Sequence, residues 1–297
     1  MIGWQNMSDW QSRIVGLPAT LSQFAHAYVL ESADEAMRLQ CARELAKLLL
    51  CQRPSDKAMQ SCGQCQSCQL FSAKTHPDML ELGYEATIGI DEVRQVSRFY
   101  EQTSQLRKAQ LVILDKVELM SESAANALLK TLEEPTSGSY LLLLTRSRHS
   151  LMATIRSRCQ FLTVKNKSRN ELKLSHGALP DYILGFAQNS ESSLLRWQEA
   201  SRLSHFETGY TLFIGWLRQK VSSAELAVFA LESDESMAFT LYLIERRVRQ
   251  GLLKDDERAK AAHIQLQRFN LSLDKVKGQN KTLAIAALLN ALLPQVT

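Results

Sequence analysis

The 297-residue chain lacks the marks of export and of membrane insertion. Its first residues, MIGWQNMSDW, show no basic segment followed by an apolar one, so no leader is expected. No apolar run approaches the ~20 residues that a membrane span needs. That excludes a helical membrane protein and leaves the cytoplasm as the expected compartment. A charge excess is also missing: 35 Lys and Arg against 31 Asp and Glu give a net +4. Such a balance is too mild to imply nucleic-acid binding by itself. Internal repeats and low-complexity segments are absent as well. What is present is apolar: 45% of the residues are hydrophobic, enough for large cores and too much for overall disorder. The length suits about two or three domains.

Short apolar runs alternate with helical periodicity over the first part. The strands expected are 26–31 (HAYVLE), 78–82 (DMLEL), 110–115 (QLVILD), 140–145 (YLLLLT) and 160–164 (QFLTV). Helices are expected over 35–50, with Leu39, Ala42, Ala46 and Leu49 on one face, and over 91–105, with Asp91 as N-cap and Val93, Val96 and Tyr100 inward. A third runs over 121–134 and stops at Pro135. This alternation implies an α/β domain, a parallel sheet with helices on both faces. The unbroken run Leu141 to Leu144 fits a sheet covered on both sides. After about residue 165 strand patterns vanish. Residues 166–205 read as a small helical unit and 206–297 as a helical bundle. The last helix carries Ile285, Leu288, Leu289 and Leu292 on one side and further leucines on others, which hints at oligomerisation.

A nucleotide site of the parallel α/β kind needs glycines, a lysine and a hydroxyl between its first strand and helix. The glycines let backbone N–H groups approach phosphate, the lysine neutralises charge and the hydroxyl holds magnesium. Here that place, Ser32 to Leu39, reads SADEAMRL. It has no glycine, Asp34 and Glu35 would repel a polyphosphate, Arg38 stands for the lysine and Leu39 for the hydroxyl. The strand ending LVILDK has Lys116 after Asp115 where a second acid would orient water. The residues alone leave open whether a nucleotide fold was ever present.

Cys62, Cys65 and Cys68 form C-x2-C-x2-C, and Cys51 precedes them by eleven positions. In a reducing compartment such a set is a metal site before it is a disulfide framework. Four thiolates suit tetrahedral zinc, and with no open position the zinc would be structural. An iron–sulfur run would want a further Cys and then Pro, which CQLFS does not supply. His76, in THPD, is read as a capping or packing residue, and Cys41 and Cys159 have no spacing partner. In IRSRCQF, residues 155–161, Arg156 and Arg158 could meet a surface carboxylate, nucleic acid or a phosphate.

Together HAYVLE, the four cysteines, THPD, ANALLKTLEEP (125–135) and TIRSRC (154–159) resemble the clamp-loader family of AAA+ proteins, the clamp-loader subunits of bacterial DNA polymerase III. The likeness is strong over 1–165 and weaker beyond. It implies an AAA+ α/β domain over 1–165 with an inserted zinc module at 51–68, a small helical lid at 166–205 and an all-α collar at 206–297. It also implies a subunit without ATPase activity of its own in a polymerase holoenzyme, with no ATP bound by this chain. The implied partners are the gamma/tau and delta subunits, and through the complex the sliding clamp and primed DNA. By motif position Arg158 would reach the ATP of a neighbouring subunit. Arg156 would face solvent, an acidic neighbour or DNA. Two other readings stay open: an ATP-hydrolysing gamma/tau-like subunit, and a stand-alone zinc-dependent nucleic-acid-binding protein.

Overall fold

A computed structural model of the chain describes residues 10–83, 88–177, 179–273 and 280–296. The amino-terminal stretch read for a leader therefore lies almost wholly outside the described residues. Two compact units are present, Met1–Gly177 with Gln188–Ser192, and Ala178–Ala187 with Ser193–Thr297.

The first unit opens with α1 (Trp10–Arg13) and β1 (Ile14–Val15). There follow β2 (Ala27–Glu31), α2 (Glu35–Leu50), α3 (Gln66–Ser72), β3 (Met79–Leu82), α4 (Ile90–Glu101) and β4 (Gln110–Leu114). It continues with α5 (Glu122–Glu133), β5 (Ser139–Thr145), α6 (Ala153–Arg156), β6 (Gln160–Val164) and α7 (Arg169–His176). The strands form one six-stranded sheet in the order β1-β6-β2-β5-β4-β3. All neighbours are parallel except β1, which pairs antiparallel with β6 through Ile14 and Val15. The expected sheet is thus extended by an antiparallel edge too short to show a pattern in sequence.

Alternate residues of each strand enter opposite cores. Leu111, Ile113, Leu142 and Leu144 pack with Cys41, Ala42, Leu45 and Leu49 of α2. Val112, Leu114, Leu141 and Leu143 pack with Val93 and Val96 of α4 and Leu128 of α5. Every residue of β4 and all but one of β2 and of β5 are buried because both faces are covered, which is why these strands read as unbroken aliphatic runs. The anticipated N-cap at Asp91 is displaced: α4 starts at Ile90 after Gly89, whose N–H donates to Glu92 Oε2 at 3.0 Å. Asp91 instead pairs with Arg94. The helix ends at Glu101, short of 105, because the N–H groups of Gln105 and Leu106 are taken by Asp78 at 2.7 and 2.8 Å. Gly83, φ +94°, ends β3 where any Cβ would lie 2.3 Å from the Asp115 carbonyl oxygen.

The second unit is helical: α8 (Asp181–Phe186), most of α9 (Glu191–Glu199), α10 (Arg202–Leu217), α11 (Ser223–Leu231), α12 (Asp234–Leu252), α13 (Glu257–Leu273) and α14 (Asn280–Val296). Its centre is aromatic, with Phe186 stacked on Trp197 at 5.1 Å and edge-on to Phe206 and Phe239. Ile285, Leu288, Leu289 and Leu292 are buried as expected, whereas Leu283 is exposed. No described helix is long and apolar enough to cross a membrane.

Candidate functional site

The C-terminal ends of β2, β4 and β5 converge where parallel α/β sheets carry their ligands. Ser32 follows β2, Asp115 follows β4 and Thr145 ends β5, and Ser32 N–H donates to the Thr145 carbonyl at 3.1 Å. Here the stretch from Ser32 to Leu39 is no loop. Its last five residues are already the first turns of α2. Of their N–H groups, Met37 N–H is capped by Asp34 Oδ1 and Arg38 N–H bonds the Asp34 carbonyl.

Charges close the place from within. The Arg38 guanidinium, at the position of the missing lysine, donates Nη2 to Asp115 Oδ1 at 2.9 Å and Nη1 to the Ser32 carbonyl at 2.9 Å. The two side chains are 3% and 1% exposed, so the pair is out of water. Neither Arg38 Nε nor Asp115 Oδ2 finds a hydrogen-bond partner among the described residues. Lys116, left-handed at φ 54°, reaches Glu35 Oε1 at 3.1 Å. The two degenerate positions of the sequence thus neutralise each other's region: the basic residue from the cradle binds the acid from β4.

The four cysteines meet at one point. Cys51 caps the C-terminus of α2, Cys65 caps the N-terminus of α3 and Cys68 lies one turn inside it. All four sulfurs lie within 4.8 Å of one another, Cys51 and Cys65 at 3.9 Å. Tetrahedral bonds of ~2.3 Å put sulfurs roughly 3.8 Å apart, so this arrangement fits a zinc-sized ion with no ligand left to find. Electrostatics agrees. Burial pushes the Cys68 thiol up to about 12. Cys65 is buried too, but N–H groups of Cys68 and Gln52 pull it down to about 6. Four thiols this close divide between charged and neutral forms; a divalent cation lets all four ionise.

His76 is not a fifth ligand. Ser67 Oγ donates to the Leu50 carbonyl at 2.8 Å and sits 2.9 Å from His76 Nε2, while Asp78 N–H donates to His76 Nδ1 at 3.1 Å. The proton is therefore on Nε2, donated to Ser67. Burial lowers the pKa of the ring and favours this neutral form. The Lys108 ammonium donates to the Cys51 carbonyl. THPD thus fastens the cysteine module to β3 through His76, and the loop before β4 through Asp78. Cys41 and Cys159 lie outside the cluster, each thiol pushed up to about 12 by burial.

Arg158 follows α6 at the surface. Its Nη2 lies 2.6 Å from Glu133 Oε1, in the TLEEP stretch that ends α5, and Nη1 donates to the Thr154 carbonyl and Ser157 Oγ. Of the three uses open to it, the resting one is a carboxylate of its own chain. Arg156, two residues earlier, is half-buried at the end of α6. The basic loop before it holds a residue that pattern reading passed over. Arg148 bonds Glu31 Oε2 at 2.7 Å and Thr163 Oγ1 at 2.8 Å and lies 4.7 Å above the Phe161 ring. It ties the ends of β2 and β6 to the loop after β5. Its charge could be counted in the sequence, but its partners, 117 and 15 residues away, could not.

Comparison with known proteins follows the same residues. The family described as DNA polymerase III, delta subunit, matches residues 18–168. DNA polymerase III subunit delta' of Pseudomonas aeruginosa is 41% identical over 153 residues, 50% of this chain and 46% of that protein. The subunit of the same name from Escherichia coli K12 is 44% identical over 119 residues, 39% of this chain and 35% of the relative. DNA polymerase III subunit tau of Bacillus subtilis is 31% identical over 139 residues, 46% of this chain and 24% of tau. The matched stretches span less than half the length of each of these relatives.

Proposed function

The chain belongs to the DNA polymerase III delta subunit family, and on that footing we propose that it works as a delta-prime-type subunit of the clamp loader that neither binds nor hydrolyses ATP. The observation that carries this is the closed cradle, with Arg38 and Asp115 paired at 2.9 Å and out of water. Breaking such a pair leaves an uncompensated buried charge, at about 3–5 kcal/mol. A nucleotide would have to meet that cost at a helix start where the Met37 and Arg38 N–H groups are already bonded.

The subunit acts through its neighbours instead. In a pentamer with gamma/tau and delta subunits, which places the sliding clamp on primed DNA in the cytoplasm, Arg158 reaches the ATP held by an adjacent subunit. Its planar guanidinium suits phosphate oxygens. To get there it must leave Glu133, a surface contact worth about 0–1 kcal/mol. Arginine fingers contribute ~10³–10⁵ in rate, far more than the loss of that contact costs. Residues 166–205 would be the lid and 206–297 the collar. Zinc at Cys51, Cys62, Cys65 and Cys68 would hold the excursion between α2 and β3 closed; with four thiolates it offers no position for a reacting water.

The test is a reconstituted loader. Arg158→Ala should assemble and lose most of the DNA-stimulated ATPase and clamp loading, while the isolated native chain should bind no labelled ATP. Unchanged ATPase with assembly intact refutes the role in trans. Saturable micromolar ATP binding by the chain alone refutes the closed cradle and favours a gamma/tau-like subunit.

A further inference from the structure

Asp34 stands at the N-terminus of α2 and is 3% exposed. Its Oδ1 accepts from Met37 N–H at 3.0 Å, in the first turn of that helix. Its Oδ2 accepts from the N–H groups of Glu191 and Ser192 at 2.7 and 3.3 Å, the first two residues of α9. N–H groups at helix N-termini have no intrahelical partner and form the positive end of the helix dipole, so anions collect there. Two such ends directed at one buried carboxylate make an anion site. It lies within the stretch from Ser32 to Leu39, where a phosphate would be expected.

We propose that Asp34 is an internal anion: its carboxylate fills a phosphate-type site and clips residues 188–192 onto the α/β unit without any nucleotide. This rests on the reading of residues 32–39 as a lost phosphate cradle. A second set of contacts supports it independently. Asn166 Nδ2 donates to the Gln188 carbonyl at 2.9 Å, and Asn166 Oδ1 accepts from Ser32 Oγ at 2.6 Å. The Glu191 carboxylate is held by Lys167 at 2.6 Å and by His176 at 3.0 Å. Gln188–Ser192 accordingly belongs to the first unit, although the residues on either side of it belong to the second. The segment is held by fixed charges of the chain itself, so adding ATP should neither dock it nor release it.

The test uses the full chain with Asp34→Ala and Asp34→Asn, in sodium chloride, phosphate or pyrophosphate at equal ionic strength. Amide hydrogen exchange at Glu191 and Ser192 should quicken about tenfold or more in both variants. Phosphate or pyrophosphate should slow it again in Asp34→Ala and leave the native chain unchanged. Exchange that stays at the native rate in both variants overturns the inference, and so does a folded Asp34→Ala no more sensitive to phosphate than the native chain. Should Asp34→Ala fail to fold, Asp34→Asn still decides. Its amide oxygen can cap α2, whereas its NH2 group cannot accept from Glu191 and Ser192. ATP binding by the native chain would sink the lost-cradle reading itself. A native chain indifferent to ATP, with variants indifferent to phosphate, sinks only the internal anion.

Discussion

The Arg38–Asp115 pair makes a quantitative prediction that surface ion pairs do not. Both side chains are almost fully out of water, and each retains one polar atom with no partner among the described residues. Asp115→Ala therefore strands a guanidinium whose remaining polar contact is the Ser32 carbonyl. Such a loss costs about 3–5 kcal/mol, while replacing a buried pair by apolar groups of similar volume is often neutral or stabilising. The Arg38→Met, Asp115→Ala double variant should be less destabilised than Asp115→Ala alone, although it has lost more. Single variants and the double form a thermodynamic cycle, read by urea titration with amide exchange at Val112, Ile113 and Leu143 in the strands that flank the pair. These amides report on the first unit alone, which avoids averaging over two units that need not unfold together. A coupling of about 2 kcal/mol or more is expected. Costs below about 1 kcal/mol for Asp115→Ala, or additive single costs, would refute the view that the two charges hold each other in a closed site.

Metal analysis of reduced protein should find about one zinc per chain. Cys68→Ser should lower that content and quicken amide exchange over Gln66–Ser72, and a metal-free native protein would remove the zinc assignment. Glu133→Gln should change stability by no more than about 1 kcal/mol, since its contact with Arg158 is at the surface. A larger loss by urea titration would mean that Glu133 is structural. Glu191 supplies a pH dependence. Burial pushes its carboxyl up, but Lys167 and His176 outweigh that and hold it below the ordinary 4.5. With the folded pKa lowered, its contribution is complete above about pH 5 and fades as pH falls through the folded value. Glu191→Gln should therefore flatten the acid side of the urea-midpoint profile below about pH 4.5 and leave pH 7 to pH 9 unchanged in shape. Parallel native and variant profiles on the acid side would count against it.

What could be read from the sequence divides along physical lines. The central strands were legible because a sheet covered on both faces needs aliphatic residues at every position, and Leu141 to Leu144 has nothing else. The cysteine cluster was legible because one short loop supplies three ligands and the end of α2 the fourth. Two-residue β1 carries too few positions for any period, and only its register against Val164 and Thr163 defines it. The limit of α4 depended on Asp78, which lies before the helix in sequence and takes the N–H groups that follow it. Arg38 in the place of the cradle lysine and Lys116 after Asp115 could each be read off the sequence. The pairing of Arg38 with Asp115 across 77 residues could not.

Asp34 sharpens this point, because the sequence shows its charge but not the N–H groups that it meets. A carboxylate in a phosphate site repels phosphate, and that argument counts Asp34 as damage. The same helix N-termini that attract phosphate attract a carboxylate equally well. A chain without the glycines and lysine of a phosphate cradle still has the N–H groups at the start of α2 to satisfy. A buried N–H without a partner costs about 1–3 kcal/mol. Asp34 takes those of Met37, Glu191 and Ser192, and Asp115 takes the charge that Arg38 brings in. The charges of Asp34, Arg38 and Asp115 thus meet partners within the chain itself.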